Sequence, residues 1–115
     1  MSNYREDIVD ILGKELKYHP GVNEGKMFGH PGFKVLGKFF AIAYEDGLAL
    51  KLSPDDYSKI LQLEEAAAFA PRGGKMSTWA VLTYPDAEQY LQNLPWIEKA
   101  IEYTALEAQK QEKSR

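Results

Sequence analysis

Apolar positions along the first part of the chain follow a helical rhythm. Tyr4, Ile8, Ile11, Leu12 and Leu16 recur at the spacing of one helix face, and Asn3 with Glu6 has the form of a capping box, so residues 4 to 17 are predicted to be an amphipathic helix. His19-Pro20-Gly21 stops it. From Lys26 to Leu52 the rhythm changes to alternation, in three runs broken by Gly37 and by Glu45-Asp46-Gly47, which predicts a three-stranded antiparallel meander. Ser53-Pro54-Asp55-Asp56 is a helix start, with a capping serine, proline at the first helical position and acids in the first turn; Tyr57, Ile60 and Leu61 supply its apolar stripe. Ser77 to Tyr84 reads as a strand that a weaker one near Ala67 to Ala70 pairs with across the loop Pro71 to Lys75. Pro85-Asp86 opens a helical turn. Pro95 opens a last helix carrying Trp96, Ile97, Ala100, Ile101, Thr104 and Ala108 on one side.

The expected order is helix, three strands, helix, two strands, helix: a single α+β domain over residues 1–108, an antiparallel sheet backed by helices, with a polar, frayed tail over 109–115. A length of 115 residues suits one core.

Register within the meander decides which face is buried. A two-residue turn at Gly37-Lys38 sets Leu36 opposite Phe39 and puts Phe33, Val35, Phe40 and Ile42 together. A three-residue loop at Glu45-Asp46-Gly47 then sets Tyr44 opposite Leu48 and adds Leu48, Leu50 and Leu52 to the same side. This choice collects every large aliphatic on one face, each worth roughly 1.5 to 3 kcal/mol when buried. The reverse face is expected to carry Lys34, Ala41, Ala43, Ala49 and Lys51, with Lys34, Ala41 and Lys51 in one row across three strands. Such a floor of small residues would let a partner approach closely; the same residues would also suit alanines lying under a loop, with lysines solvating the sheet.

Net charge is −3, which argues against indiscriminate polyanion binding, but the charge is unevenly spread. Residues 26 to 83 hold seven basic and six acidic side chains, whereas 1 to 25 hold three and five and 84 to 115 hold four and six. The predicted strands are basic and the predicted helices acidic. The absence of cysteine excludes disulfides, thiolate nucleophiles and thiolate-bound zinc. With no long apolar run for a signal or a membrane span, the chain reads as soluble and cytoplasmic.

No chemistry-bearing motif stands out. His19 and His30, with Glu24 between them, match no metal-ligand spacing, so no metal and no cofactor is expected. Arg72-Gly73-Gly74-Lys75 could cradle a phosphate but lacks the P-loop pattern, and a hairpin connection accounts for its glycines. Asp55-Asp56 and Glu64-Glu65 diverge on a helix, and the serines have no identifiable base, so the chain reads as non-enzymatic. Trp79, Trp96, Phe28 and Tyr84 could stack unpaired bases, although core placement is the ordinary role of such residues.

Met27-Phe28-Gly29, Gly32-Phe33, Gly37-Lys38, Phe40-Ala41 and Leu48 to Leu52 resemble the TfoX N-terminal domain family. Phe33-Lys34-Val35, Gly37-Lys38, Phe40-Ala41, Leu50-Lys51 before Pro54-Asp55, Trp79 and the segment Ile101 to Tyr103 equally resemble the MmcQ/YjbR-like small bacterial proteins. The similarity spans about residues 8 to 106. It implies the same element order, a sheet arrangement similar to type III secretion chaperones, and a regulatory role, with a DNA-binding one suggested for YjbR-like proteins. The expectation is therefore a non-enzymatic regulatory module that contacts a protein partner or nucleic acid through its basic strand face, using Lys34, Lys51, Arg72 and Lys75 over Ala41. The competing expectation is an adaptor or chaperone-like homodimer joined through the alanine-rich face or a sheet edge.

Overall fold

Helix α1 spans Glu6–Leu16 and buries Ile8, Leu12 and Leu16, the four-residue spacing that the sequence pattern anticipates. In this computed structural model the described residues are Asn3 to Lys113, without the side chains of Arg72 and residues 111–113. The helix does not start on the expected capping box. Its cap position is Arg5, which makes no side-chain cap bond, while the Asn3 carbonyl accepts from Glu45 N at 2.8 Å. Asp7 Oδ1 accepts from Ile8 N at 3.0 Å, and the Arg5 guanidinium binds Asp7 and the carbonyls of Tyr84 and Pro85, tying the start of α1 to the segment that follows residues 79–82.

Four strands follow rather than three: β1 (Val22–Met27), β2 (His30–Val35), β3 (Lys38–Tyr44) and β4 (Gly47–Lys51). Helix α2 (Pro54–Ile60) begins as anticipated, Ser53 Oγ accepting from Asp56 N at 3.2 Å with Pro54 in the first turn. Next come β5 (Ala66–Ala68), a 3-10 turn at Pro71–Gly73 and β6 (Trp79–Leu82), then α3 (Glu88–Gln92) and α4 (Leu94–Lys113). The pairings between these strands are antiparallel, in the order β1-β2-β3-β4-β6-β5, and an isolated parallel bridge joins Tyr4 to Glu45. The chain is thus an α+β domain with one six-stranded sheet. Helical backbone continues past Ala108 to Lys113, where the sequence suggested fraying; residues 114–115 lie outside the described residues. Among the described residues no helix is long and apolar enough to cross a membrane.

Both turns of the expected meander differ from the sequence reading. Val35 pairs with Lys38, so the first turn is Leu36-Gly37, with φ of 50° and 85°, the double left-handed geometry that matches strand twist. Phe33 pairs with Ala41 but Lys34 pairs with Phe39, leaving Phe40 as an extra residue in a bulge. Tyr44 pairs with Gly47, so the second turn is the two-residue Glu45-Asp46, not a three-residue loop.

Pleating then assigns the faces. Phe33, Val35, Phe40, Leu48, Leu50 and Leu52 join Ala41, Ala80 and Leu82 in a core that also holds Ile8, Leu12 and Leu16 of α1, Ile60 of α2, Tyr90 of α3 and Ile97 and Ala100 of α4. Ile42 stands on the other side, in a smaller cluster with Ala49, Phe69 and Trp79, to which no helix side chain contributes among the described residues. The predicted alanine floor is therefore absent. Ala41 pairs with Leu50 and Ala43 with Leu48, both at 0% exposure on the helix-backed side, and Ala49, although on the reverse side, is also at 0%. The bulge and the shorter turn each shift the pairing by a residue, and a one-residue shift exchanges the two faces.

Candidate binding face of the sheet

The helix-free face is built around a trough of glycine. Gly25 and Gly32 pair across β1 and β2, and the Phe39 ring lies over them: a Cβ at Gly32 would come within 3.1 Å of Phe39 Cδ1 and Cε1, and one at Gly25 within 3.1 Å of Cζ. A Cβ at Gly32 would also come within 2.6 Å of the Ala41 carbonyl oxygen, so this ring-on-backbone packing requires glycine. Lys34, paired with Phe39 across the strands, carries its ammonium 5.6 Å from the ring centroid, a distance at which the ring face attracts a cation.

A row of aromatic rings crosses the same face. His30 stacks on Tyr44 with centroids 4.3 Å apart, Tyr44 meets Phe69 edge-on at 5.0 Å, and Phe69 tilts against Trp79 at 6.2 Å. His30 is buried, and its Nδ1 lies 2.8 Å from the Phe28 carbonyl; a carbonyl only accepts, so Nδ1 is the donor of this bond. Phe28 occupies the β1–β2 turn with φ of 57°, a conformation rare for a bulky side chain, and the residue is 43% exposed. Phe69 N donates to the Trp79 carbonyl at 2.9 Å, which keeps this residue beside β6, and its ring reaches Tyr44 on the face where Ala49 is small and buried. Met27, Phe39, Tyr44, Met76 and Val81 pack against this cluster while keeping part of their surface exposed.

Of the four expected cations, Lys34, Lys51 and Lys75 have described side chains, and these lie in different settings. Lys34 lies beside Phe39. Lys51, registered opposite Trp79, is ion-paired to Glu107 of α4. The hydrogen bond from Lys51 holds the Glu107 carboxyl below the usual carboxylate range against the opposing effect of burial, and the Tyr103 hydroxyl adds a second bond at 3.0 Å. Lys75 is exposed on the loop that folds over the helix-free face, and the Arg72 side chain lies outside the described residues. Ala41 has no accessible surface. Lys34, Ala41 and Lys51 do not share a row, because Lys34 pairs with Phe39 and Ala41 with Leu50.

Elsewhere, a hollow of about 350 Å³ opens between the Tyr44-Gly47 turn and Pro71, with Glu45 and Asp46 in its lining. A cleft of about 590 Å³ between α1 and α3 is lined by Asp7, Asp10, Asp86 and Glu88 together with Lys14. Among the described residues no group of three or more His, Asp or Glu side chains could hold a metal ion. The aromatic row escaped the sequence reading because Tyr44 and Ile42 were placed with the aliphatics; Phe39, Ile42 and Tyr44 share a face only if one residue of β3 is skipped, and nothing local marks Phe40 as the one. No protein-family model matches the chain, and no curated protein and no solved structure matches it either.

Proposed function

We propose that this chain is a non-enzymatic binding module that captures a protein partner on the helix-free face of its sheet. The observation that supports it is the partial exposure of Met27, Phe39, Tyr44, Met76 and Val81 around a cluster to which, among the described residues, no helix side chain contributes. Aromatic and methionine side chains are what interface cores collect, and methionine repacks easily against different surfaces. Lys34 beside Phe39 and Lys75 on the overlying loop place positive charge around this strip, so the reading commits to a partner segment with an apolar anchor flanked by acidic residues. Nucleic acid suits the surface less well, because Lys51 is occupied by Glu107 and the chain carries a net −3. The reading keeps the regulatory binding role implied by the likeness to TfoX N-terminal and YjbR-like proteins and moves its contact from alanines to aromatics. A homodimer through the alanine-rich face is not retained, since Ala41, Ala43 and Ala49 expose 0% of their surface.

The test is an NMR titration of isotope-labelled protein with peptides selected from a random display library, run beside a single-stranded oligonucleotide and a short duplex. Peptide shifts should concentrate at Gly25, Gly32, Lys34, Phe39 and Tyr44, and Lys34→Glu should weaken acidic peptides several-fold without altering the fold. Shifts confined to the helices, or an oligonucleotide that binds with a steep salt dependence while no peptide binds, would overturn the reading.

A further inference from the structure

The two edges of the sheet are unequal. One ends in β5, three residues long; the other ends in β1, six residues long, with neither proline nor bulge. Leu36 N donates to the Gly21 carbonyl at 3.2 Å, which sets the alternation: Gly21, Asn23, Gly25 and Met27 turn their backbone groups toward β2, while Val22, Glu24 and Lys26 turn theirs off the edge. The Val22 N–H is taken by the His19 carbonyl at 3.3 Å, so Glu24 and Lys26 carry the edge groups open to another strand. Their side chains share a face, are exposed, and form no ion pair among the described residues.

We propose that β1 is a self-pairing edge: a second copy of this chain adds antiparallel across a two-fold axis at Gly25, joining two six-stranded sheets. In that register each Glu24 lies directly opposite Lys26 of the second copy, twice over, and the open N–H and C=O groups of both residues are satisfied. Sliding by one pair in either direction puts Glu24 against Glu24 or Lys26 against Lys26, so charge selects the Gly25-centred register. Hollows of about 350 and 250 Å³ between α1 and β1 share Glu24 and Phe33 in their linings and leave room for the paired side chains beneath the helix. The seam is short, placing the dimer among small, concentration-dependent interfaces below about 1,200 Å². It uses the edge of the sheet rather than the partner face proposed above, and the two meet at Gly25, so shifts at Gly32, Phe39 and Tyr44 tell peptide binding from self-pairing.

Sedimentation velocity over a wide concentration series tests it, with far-UV circular dichroism confirming the fold of each variant. The wild-type chain should dimerise reversibly. Glu24→Lys and Lys26→Glu each turn two attractive pairs into two repulsive ones and should weaken the dimer about tenfold or more. The double exchange Glu24→Lys/Lys26→Glu should restore it, and an equimolar mixture of the two single variants should form a heterodimer, since all their cross-strand pairs are then of opposite sign. In a sample mixing labelled and unlabelled copies, a filtered NOE between the Gly25 Hα protons of different copies should appear, as for a close non-hydrogen-bonded pair. A chain that stays monomeric throughout, a dimer indifferent to the single reversals, or single variants that fail to complement each other overturns the proposal, as does an edge that accepts foreign extended peptides but never its own copy.

Discussion

Removing one oxygen atom, in Tyr90→Phe, tests how α3 is fastened to the sheet. The Tyr90 hydroxyl is fully buried; it donates to the Leu82 carbonyl at 3.1 Å and accepts from Tyr84 N at 3.0 Å, and burial raises its pKa above the ordinary tyrosine value. Both backbone partners lie just where β6 ends and the chain turns toward α3, and the Arg5 guanidinium also binds the Tyr84 carbonyl. Phenylalanine keeps the ring, including its edge-on contact with Tyr84 at 5.1 Å, so little cavity arises. The loss is one satisfied pair of hydrogen bonds and, more costly, a Tyr84 N–H left in a buried place without an acceptor, about 1–3 kcal/mol. Leu82 is less exposed to this loss, being paired with strands on both sides. A total near 2 kcal/mol should lower Tm by about 8 °C in a domain of this size and lower the urea midpoint at unchanged m. Tyr84→Phe is the control, because the Tyr84 hydroxyl makes no hydrogen bond among the described residues, and it should cost under about 0.5 kcal/mol. Equal stabilities of Tyr90→Phe and wild type would refute the reasoning, since the N–H would then have found another acceptor.

Gly32→Ala should destabilise by about 1–3 kcal/mol in urea unfolding, because its Cβ would come within 2.6 Å of the Ala41 carbonyl oxygen, a backbone atom that cannot swing away. Leu36→Asn should raise Tm, contributing about 1 kcal/mol, since Leu36 holds φ of 50° at 50% exposure and Asn-Gly suits that turn. Ala41→Lys should cost more than about 3 kcal/mol by burying a charge, whereas Ala67→Lys, at an exposed position, should stay within about 0.5; a tolerated Ala41→Lys would restore the sheet orientation that the alternation pattern suggested. Glu107 is held below the usual carboxylate range by Lys51, so its ion pair stabilises the fold at neutral pH, fades as pH drops beneath the unfolded carboxylate value and is gone below the folded one. Both side chains are partly exposed, so the effect is at most about 1 kcal/mol, and urea unfolding of Glu107→Gln across a pH series should show this component of the acid slope missing.

Local signals in the chain were enough for several elements. The start of α2 is legible from Ser53-Pro54-Asp55-Asp56 because a cap needs only neighbours in sequence, and the buried stripe of α1 follows from the spacing of Ile8, Leu12 and Leu16. The alternation of Leu48, Leu50 and Leu52 likewise identified β4 and its buried side. β1 was invisible, since Val22–Met27 packs mainly against one neighbour strand and carries no apolar alternation to reveal it. The candidate site was barely legible: of the residues expected to form it, Lys34 stands beside the aromatic strip and Lys75 on the loop over it, whereas Lys51 is claimed by a glutamate far along the chain and Ala41 lies in the core.

The sequence by itself determined the kinds of element, most of their order and the α+β class, because propensity, capping and periodicity act over a few residues. Only the tertiary structure decided which side of the sheet faces the helices at β3. That choice rests on where one extra residue, Phe40, bulges out of the pairing and on a turn one residue shorter than expected, and both are set by contacts between strands, which no local window contains.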